Sequence, residues 1–252
     1  FVVRVADDIP SHGIMRFNEL AASRAAHAAG VSPEVVHAET GALVLRFIDG
    51  ETFGEAEVRQ ANLEGRILPL LRRVHDDMPK YYRGPLLAFW VFQSMRGYGI
   101  VLREGNSRMV GELPRFTAIN DELEAAVGSI RLVFGHNDLL AANFMDDGKR
   151  LWLIDWDYAG LNSPLFDLAN LASNNGFSEA EEDRLLEAYY EATVSDELRR
   201  QFKAMKCASL LREAMWSMVS EIHLTIDVDY VAYTAEYLAR FEAAYADFQE
   251  AR

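Results

Sequence analysis

A single cysteine, Cys207, stands among the 252 residues of the chain. No internal disulfide can form, and thiolate zinc sites and dithiol redox cycles are excluded with it. Its neighbours Met205 and Leu210 point to a small buried hydrophobe rather than a nucleophile. No stretch approaches the roughly 20 consecutive apolar residues that a spanning helix needs, and the first residues carry neither a basic region nor a small-residue cleavage site. The expectation is a soluble, cytoplasmic protein with no membrane insertion. Basic residues are scarce, 25 Lys and Arg against 39 Asp and Glu, for a formal charge of −14. The lack of a basic stripe to neutralise phosphates argues against a nucleic-acid partner, and none is expected. A small cationic partner suits this field better, although salt screens it beyond about 8 Å. No G-x-x-x-x-G-K-[ST] loop occurs, and His223 lacks the H-E-x-x-H spacing of a zinc site.

Half of the residues are hydrophobic, enough for one large core or two modest ones. Phe1 to Val5 reads as a short strand. Met15, Leu20, Ala21 and Ala25 then recur at helical spacing up to Gly30, which can end the helix. Val35 to His37 and Leu43 to Ile48 read as strands around a Thr40-Gly41 turn, followed by an Asp49-Gly50 turn. From Gly54 the helical period runs through His75, then Pro85 to Val101 and Leu113 to Val127. Arg131 to Gly135 and Leu151 to Ile154 read as strands, with a hairpin-like turn at Asp146-Asp147-Gly148. The remainder reads as helical, with Ser178 and Glu181 as a capping box. The expected fold class is therefore α+β.

Within that frame, His136-Asn137-Asp138-Leu139-Leu140-Ala141-Ala142-Asn143 matches H-x-D-x-x-x-x-N, the spacing of a kinase catalytic loop. A strand ends in Leu153-Ile154-Asp155-Trp156-Asp157 shortly after. Phosphoryl transfer asks for a carboxylate to receive the hydroxyl proton and for oxygen ligands to hold magnesium. Asp138 fits the base, and Asn143 and Asp155 fit the metal. A loop between two short strands can aim such side chains into one cleft. His136 would brace that loop through backbone hydrogen bonds. His75 reads as packing or capping, and Asp167 as structural.

The strings HNDLLAANF and LIDWDYAGLNSPLFDLAN resemble the choline/ethanolamine kinases within the wider aminoglycoside-phosphotransferase-like group. The resemblance implies a bilobal, protein-kinase-like fold. Residues 1–50 would be the rest of a small β-rich nucleotide-binding lobe and hinge, and 51–252 a large, mostly helical lobe with the catalytic loop and acceptor pocket. It implies ATP and Mg2+ as cofactors and a small choline- or ethanolamine-like amino alcohol as acceptor, with an aminoglycoside, thiamine or mere ligand binding as alternatives. Val3-Arg4-Val5 resembles the strand whose basic residue reaches the nucleotide phosphates, and Glu19 the helix glutamate that pairs with it. Leu45 to Gly50, including Phe47 and Ile48, would be the hinge against the adenine. The glycine-rich hairpin that the family places before the basic strand is not in this sequence.

Towards the C-terminus the resemblance implies an aromatic enclosure for the acceptor's ammonium, with Trp216 and Tyr233 at the matching positions. Cation–π attraction supplies the reason. Glu213 stands where the family commonly has a tryptophan, and Val228 where a phenylalanine is frequent. An added carboxylate is expected to favour a primary or secondary amine over choline. Asp157 corresponds to an acidic residue facing the substrate side.

Overall fold

The computed structural model describes residues 1–250. Strand β1, Val2–Val5, precedes helix α1, Arg16–Ala28. The helix ends at Gly30, whose φ of +73° is open to glycine without strain. There the Val31 N–H reaches the Ala26 carbonyl at 2.8 Å and the Gly30 N–H reaches that of His27 at 2.9 Å, the Schellman pattern. Strands β2, Val35–Glu39, and β3, Ala42–Leu45, form a hairpin around Gly41, and β1 pairs antiparallel with β3. After β4, Glu51–Thr52, come α2, Glu55–Gln60, α3, Leu68–Arg72, and α4, Met78–Tyr81. Residues 63–81 are helical but uneven, widening to i→i+5 hydrogen bonds before α3 and again before α4. Pro69 and Pro79 explain both: each lacks an N–H and crowds the carbonyl one turn earlier.

The expected helix from Pro85 begins only at Val91, as α5, Val91–Glu104. Residues 85–90 are extended instead. Their backbone is committed elsewhere: the Leu161 N–H reaches the Leu87 carbonyl at 2.8 Å, and the Phe89 N–H reaches that of Leu161 at 2.9 Å. Helix α6, Leu113–Val127, follows. Strand β5 is shorter than expected, Val133–Gly135. Strands β6, Phe144–Asp146, and β7, Leu151–Leu153, form the hairpin over Gly148. The chain after residue 158 is not helical at once, because β8, Gly160–Asn162, pairs with β5. Gly160 is required there, since a Cβ would stand 2.7 Å from the Leu87 carbonyl oxygen. Helices α7, Pro164–Asn174, α8, Glu179–Tyr190, α9, Asp196–His223, and α10, Tyr230–Glu250, complete the chain. The Ser178 hydroxyl and the Glu181 carboxylate close the capping box on α8.

These elements gather into two compact units. The first contains Phe1–Ile9, Ile14–Phe89 and Arg131–Val194, with Val31, Ile67, Leu71, Phe134, Phe144, Leu153 and Phe166 in its core. Within it, β4 pairs antiparallel with β6. The second contains Pro10–Gly13, Trp90–Ile130 and the chain from Ser195. Its core is built on α9, against which α5, α6 and α10 pack through Phe92, Leu123, Leu211, Met218 and Phe241. Cys207 lies in this core, where burial pushes its thiol up to about 12. Among the described residues, no helix is long and apolar enough to cross a membrane.

Candidate active site

The loop 136–143 joins β5 to β6 in the first unit, and its backbone is moored from α7. Asp167, fully buried in the first turn of α7, accepts the N–H groups of His136 at 2.9 Å and Asn137 at 2.7 Å. A third donor, His75 Nε2, stands 3.0 Å away, while its Nδ1 meets the Tyr189 hydroxyl at 2.7 Å. Burial pushes the Asp167 carboxyl up, but the His75 hydrogen bond and neighbouring charge hold it below its ordinary value. Asn137 adopts φ +67°, a conformation uncommon outside glycine. Its side chain secures it: Nδ2 donates to the Tyr158 carbonyl at 2.9 Å and Oδ1 accepts from Asn162 Nδ2 at 2.9 Å. Asn170 accepts the Leu139 N–H, and Asn175 Nδ2 donates to the Leu139 carbonyl at 3.1 Å.

With the backbone fixed, Asp138 and Asn143 are tied to each other and to Ile154, the residue before Asp155. The β6–β7 register pairs Phe144 with Leu153, and one step further the Ile154 N–H meets the Asn143 carbonyl at 3.0 Å. Asn143 Nδ2 donates to the Asp138 carbonyl at 2.8 Å. His136 Nε2 donates to the Ile154 carbonyl at 2.9 Å, while Nδ1 accepts the Asp138 N–H at 3.2 Å. Burial lowers the pKa of this imidazole, so it is neutral and braces the backbone on both sides. Asp155 has φ +67° and follows a strand that the α1 terminus anchors: the Leu153 N–H binds the Val31 carbonyl at 3.1 Å, and the Ser32 hydroxyl binds the Leu153 carbonyl. Trp156 Nε1 donates to the same hydroxyl at 2.8 Å, and its ring lies edge-on to His136.

The donor set fits magnesium. Asn143 has committed its amide nitrogen, so its oxygen is the atom left for a cation, and Asp155 adds a partly exposed carboxylate. Mg2+ characteristically takes one or two such protein ligands and completes its shell with water and phosphate oxygens.

Arg4 lies against this carboxylate rather than in solvent. Its guanidinium contacts Glu19 at 2.8 Å, Asp155 at 3.1 Å and Asp157 at 2.6 Å. A second cation that the sequence reading did not single out completes the cluster: Arg16 contacts Glu19 at 2.6 Å and Asp157 at 2.7 Å. Its signal was local, an Arg three residues before the helix glutamate. Burial and the adjacent Asp155 charge push the Asp157 carboxyl up to about 6, with the guanidiniums opposing them, so it is ionised at neutral pH. Elsewhere in the first unit, Phe47 and Ile48 line an open cavity of about 490 Å³ with His27, Pro33, Arg46 and Trp152. Phe47 is exposed there and Ile48 buried.

Glu213, Trp216 and Tyr233 come together in the second unit. The Trp216 ring lies 6.0 Å from that of Tyr233 and 5.3 Å from His12, and Tyr233 stacks on Tyr237 at 4.7 Å. Glu213 is buried with both oxygens engaged, Oε1 by the Tyr233 hydroxyl at 2.9 Å and Oε2 by Arg212 at 2.7 Å. Its charge is therefore offset within the unit. Val228 is exposed.

An H-x-D-x-x-x-x-N loop on a short strand pair, a following metal-type aspartate and an Arg–Glu pair from the first strand and helix define a phosphotransferase of protein-kinase-like architecture. The family described as choline/ethanolamine kinase matches residues 1–203. Protein LicA of Haemophilus influenzae is 26% identical over 261 residues, covering 99% of this chain and 74% of LicA. A choline/ethanolamine kinase family protein of Mesorhizobium loti, known by crystal structure, superposes with a TM-score of 0.78 at 26% identity, covering 96% of this chain and 81% of that one. A crystal structure of LicA in complex with AMP superposes with a TM-score of 0.69 at 21% identity, over 92% of this chain and 80% of that one. The chain belongs to the choline/ethanolamine kinase family and is a small-molecule kinase.

Proposed function

We propose that the protein transfers the terminal phosphoryl group of ATP to the hydroxyl of a small amino alcohol of the choline or ethanolamine type. Residues 1–50 would serve mainly the nucleotide, and 51–252 the catalytic loop and the acceptor. The observation that supports this reading is the hydrogen bonding of Asp138 and Asn143 to each other and, through His136 and the Asn143 carbonyl, to Ile154, the residue before Asp155.

In this reading Asp138 accepts the proton of the acceptor hydroxyl on its carboxylate, as that oxygen bonds to phosphorus and ADP leaves. His136, neutral and bonded to backbone on both nitrogens, fixes where that carboxylate starts from. The Asn143 amide oxygen and the Asp155 carboxylate would hold Mg2+, which neutralises phosphate charge when bound. Arg4 would hold a phosphate oxygen and Glu19 would steady Arg4. Phe47 and Ile48 would meet the adenine. Trp216 and Tyr233 would offer aromatic faces to the ammonium, worth about 0.5–2 kcal/mol. Glu213 orients the Tyr233 hydroxyl, and Asp157 adds negative charge for a cationic acceptor.

Asp138→Asn tests the base. Turnover should fall by about 10²- to 10⁴-fold, while ADP binding stays within about twofold of wild type. Unchanged turnover would remove Asp138 from its role. A panel of choline, ethanolamine, methylated ethanolamines, an aminoglycoside and thiamine, read by ADP release, tests the acceptor. Turnover of the last two alone would exclude an amino alcohol, and turnover of none would favour a non-catalytic binder.

A further inference from the structure

Arg4 and four charged side chains around it form a closed ring with one appendage. Glu19 gives Oε1 to Arg4 and Oε2 to Arg16, and Asp157 gives Oδ2 to Arg4 and Oδ1 to Arg16, all within 2.6–2.8 Å. Two guanidiniums and two carboxylates make the ring neutral. Asp155 is attached through Arg4, and its side chain is 38% exposed, against 4% for Glu19 and 11% for Asp157.

The two arginines are not equivalent. Arg16 is fixed from behind, with Nε donating to the Asp7 carbonyl at 2.9 Å and its backbone N–H to Asp8 Oδ1 at 2.7 Å. Its side chain is 18% exposed, whereas that of Arg4 is 31% exposed. Arg4 is thus the accessible cation and Arg16 the anchored one.

We propose that Arg16 is a positioning residue, the standing counter-ion that holds Glu19 and Asp157 in place when Arg4 is drawn onto a nucleotide phosphate. The inference rests on the phosphotransferase reading above and deepens it. Two carboxylates this buried cannot be left facing each other without a cation, because an uncompensated buried charge is strongly destabilising. With Arg16 present, Asp157 keeps a guanidinium when Arg4 leaves it, while Glu19 stays paired with both arginines. Arg4, still steadied by Glu19, then trades the Asp157 and Asp155 oxygens for phosphate oxygens, and Asp155 is released for a cation. Without Arg16, Glu19 and Asp157 would both depend on Arg4 and hold it back from the phosphate. Arg16 therefore governs nucleotide affinity without touching the nucleotide.

The test is calorimetric titration of ADP in EDTA, so that no metal contributes, on the full chain. Arg16→Gln should weaken ADP binding by about tenfold, a normal coupling between linked sites. Asp157→Asn should bind ADP severalfold tighter, since one tether on Arg4 is gone. The double variant Arg16→Gln/Asp157→Asn should return to about wild-type affinity, which a purely structural role for Arg16 does not predict. Wild-type affinity in Arg16→Gln, or a double variant as weak as Arg16→Gln, would overturn the inference. Should Arg16→Gln fail to fold, Asp157→Asn decides alone, and affinity no tighter than wild type overturns it. A wild-type chain that binds ADP neither in EDTA nor with Mg2+ refutes the phosphotransferase reading and this inference together. One that binds ADP but phosphorylates no amino alcohol refutes only the acceptor.

Discussion

Replacing Asp167 by Asn changes one buried oxygen into an NH2 group and almost nothing in volume. The native carboxylate serves three donors, the N–H of Asn137 on one oxygen and the N–H of His136 with His75 Nε2 on the other. An amide has one acceptor oxygen, so whichever way it turns, its NH2 faces a buried donor. In the better orientation the oxygen keeps His136 and His75, and the NH2 stands about where an oxygen sat 2.7 Å from the Asn137 nitrogen. Two unsatisfied donors at roughly 1–3 kcal/mol each, with the two remaining bonds no longer charge-assisted, sum to about 4 kcal/mol. Against a typical stability of about 5–15 kcal/mol this is large. Urea denaturation should show the midpoint falling by about 1–2 M. Turnover should fall as well, because Asn137 at φ +67° and the Asp138 backbone lose their mooring. A folded variant with wild-type midpoint and turnover would refute the claim that this carboxylate organises the loop.

His12 is buried, and burial with the charges of Arg212 and His223 lowers its pKa to about 4, so its contribution to stability runs opposite to that of a paired histidine. The unfolded chain takes up a proton near pH 6.5 and the folded chain does not, so stability is present above pH 6.5 and is lost by up to about 3 kcal/mol as pH falls towards 4. In denaturant titrations at several pH values, His12→Asn should show a correspondingly flatter dependence, and an unchanged slope would contradict the assignment. Ser178→Ala removes the hydroxyl that caps α8 and should cost about 1 kcal/mol, seen as a lower melting temperature. Trp216→Ala should raise KM for a cationic acceptor by about tenfold with a smaller change in kcat, as expected for lost binding of about 1 kcal/mol or more. A KM unchanged in that variant would remove the aromatic face from acceptor recognition.

The sequence carried the chemistry further than the packing. H-x-D-x-x-x-x-N and the trailing Asp155 are local spacings, legible because catalytic side chains sit at fixed intervals on loops that adjoin short strands. Helix ends were legible for the same reason: Gly30 stops α1 and Ser178 starts α8 through contacts spanning a few residues. Strand β8 and the extended run 85–90 were not, because an apolar stretch is compatible with either backbone and the choice came from partners distant in sequence, β5 for β8 and Leu161 for Ala88.

By itself, the order of residues determined which side chains could act as base, metal ligand and phosphate contact, and that a lone Cys207 leaves no internal disulfide to form. Only the folded chain decided that Arg16 shares two carboxylates with Arg4, that four asparagines and Asp167 moor the loop 136–143, and that Glu213 is spent on Arg212 and Tyr233. The physical reason is range. Spacing along the chain fixes what a few bonds can reach, whereas a buried charge or amide takes whichever partner the fold brings within about 3 Å.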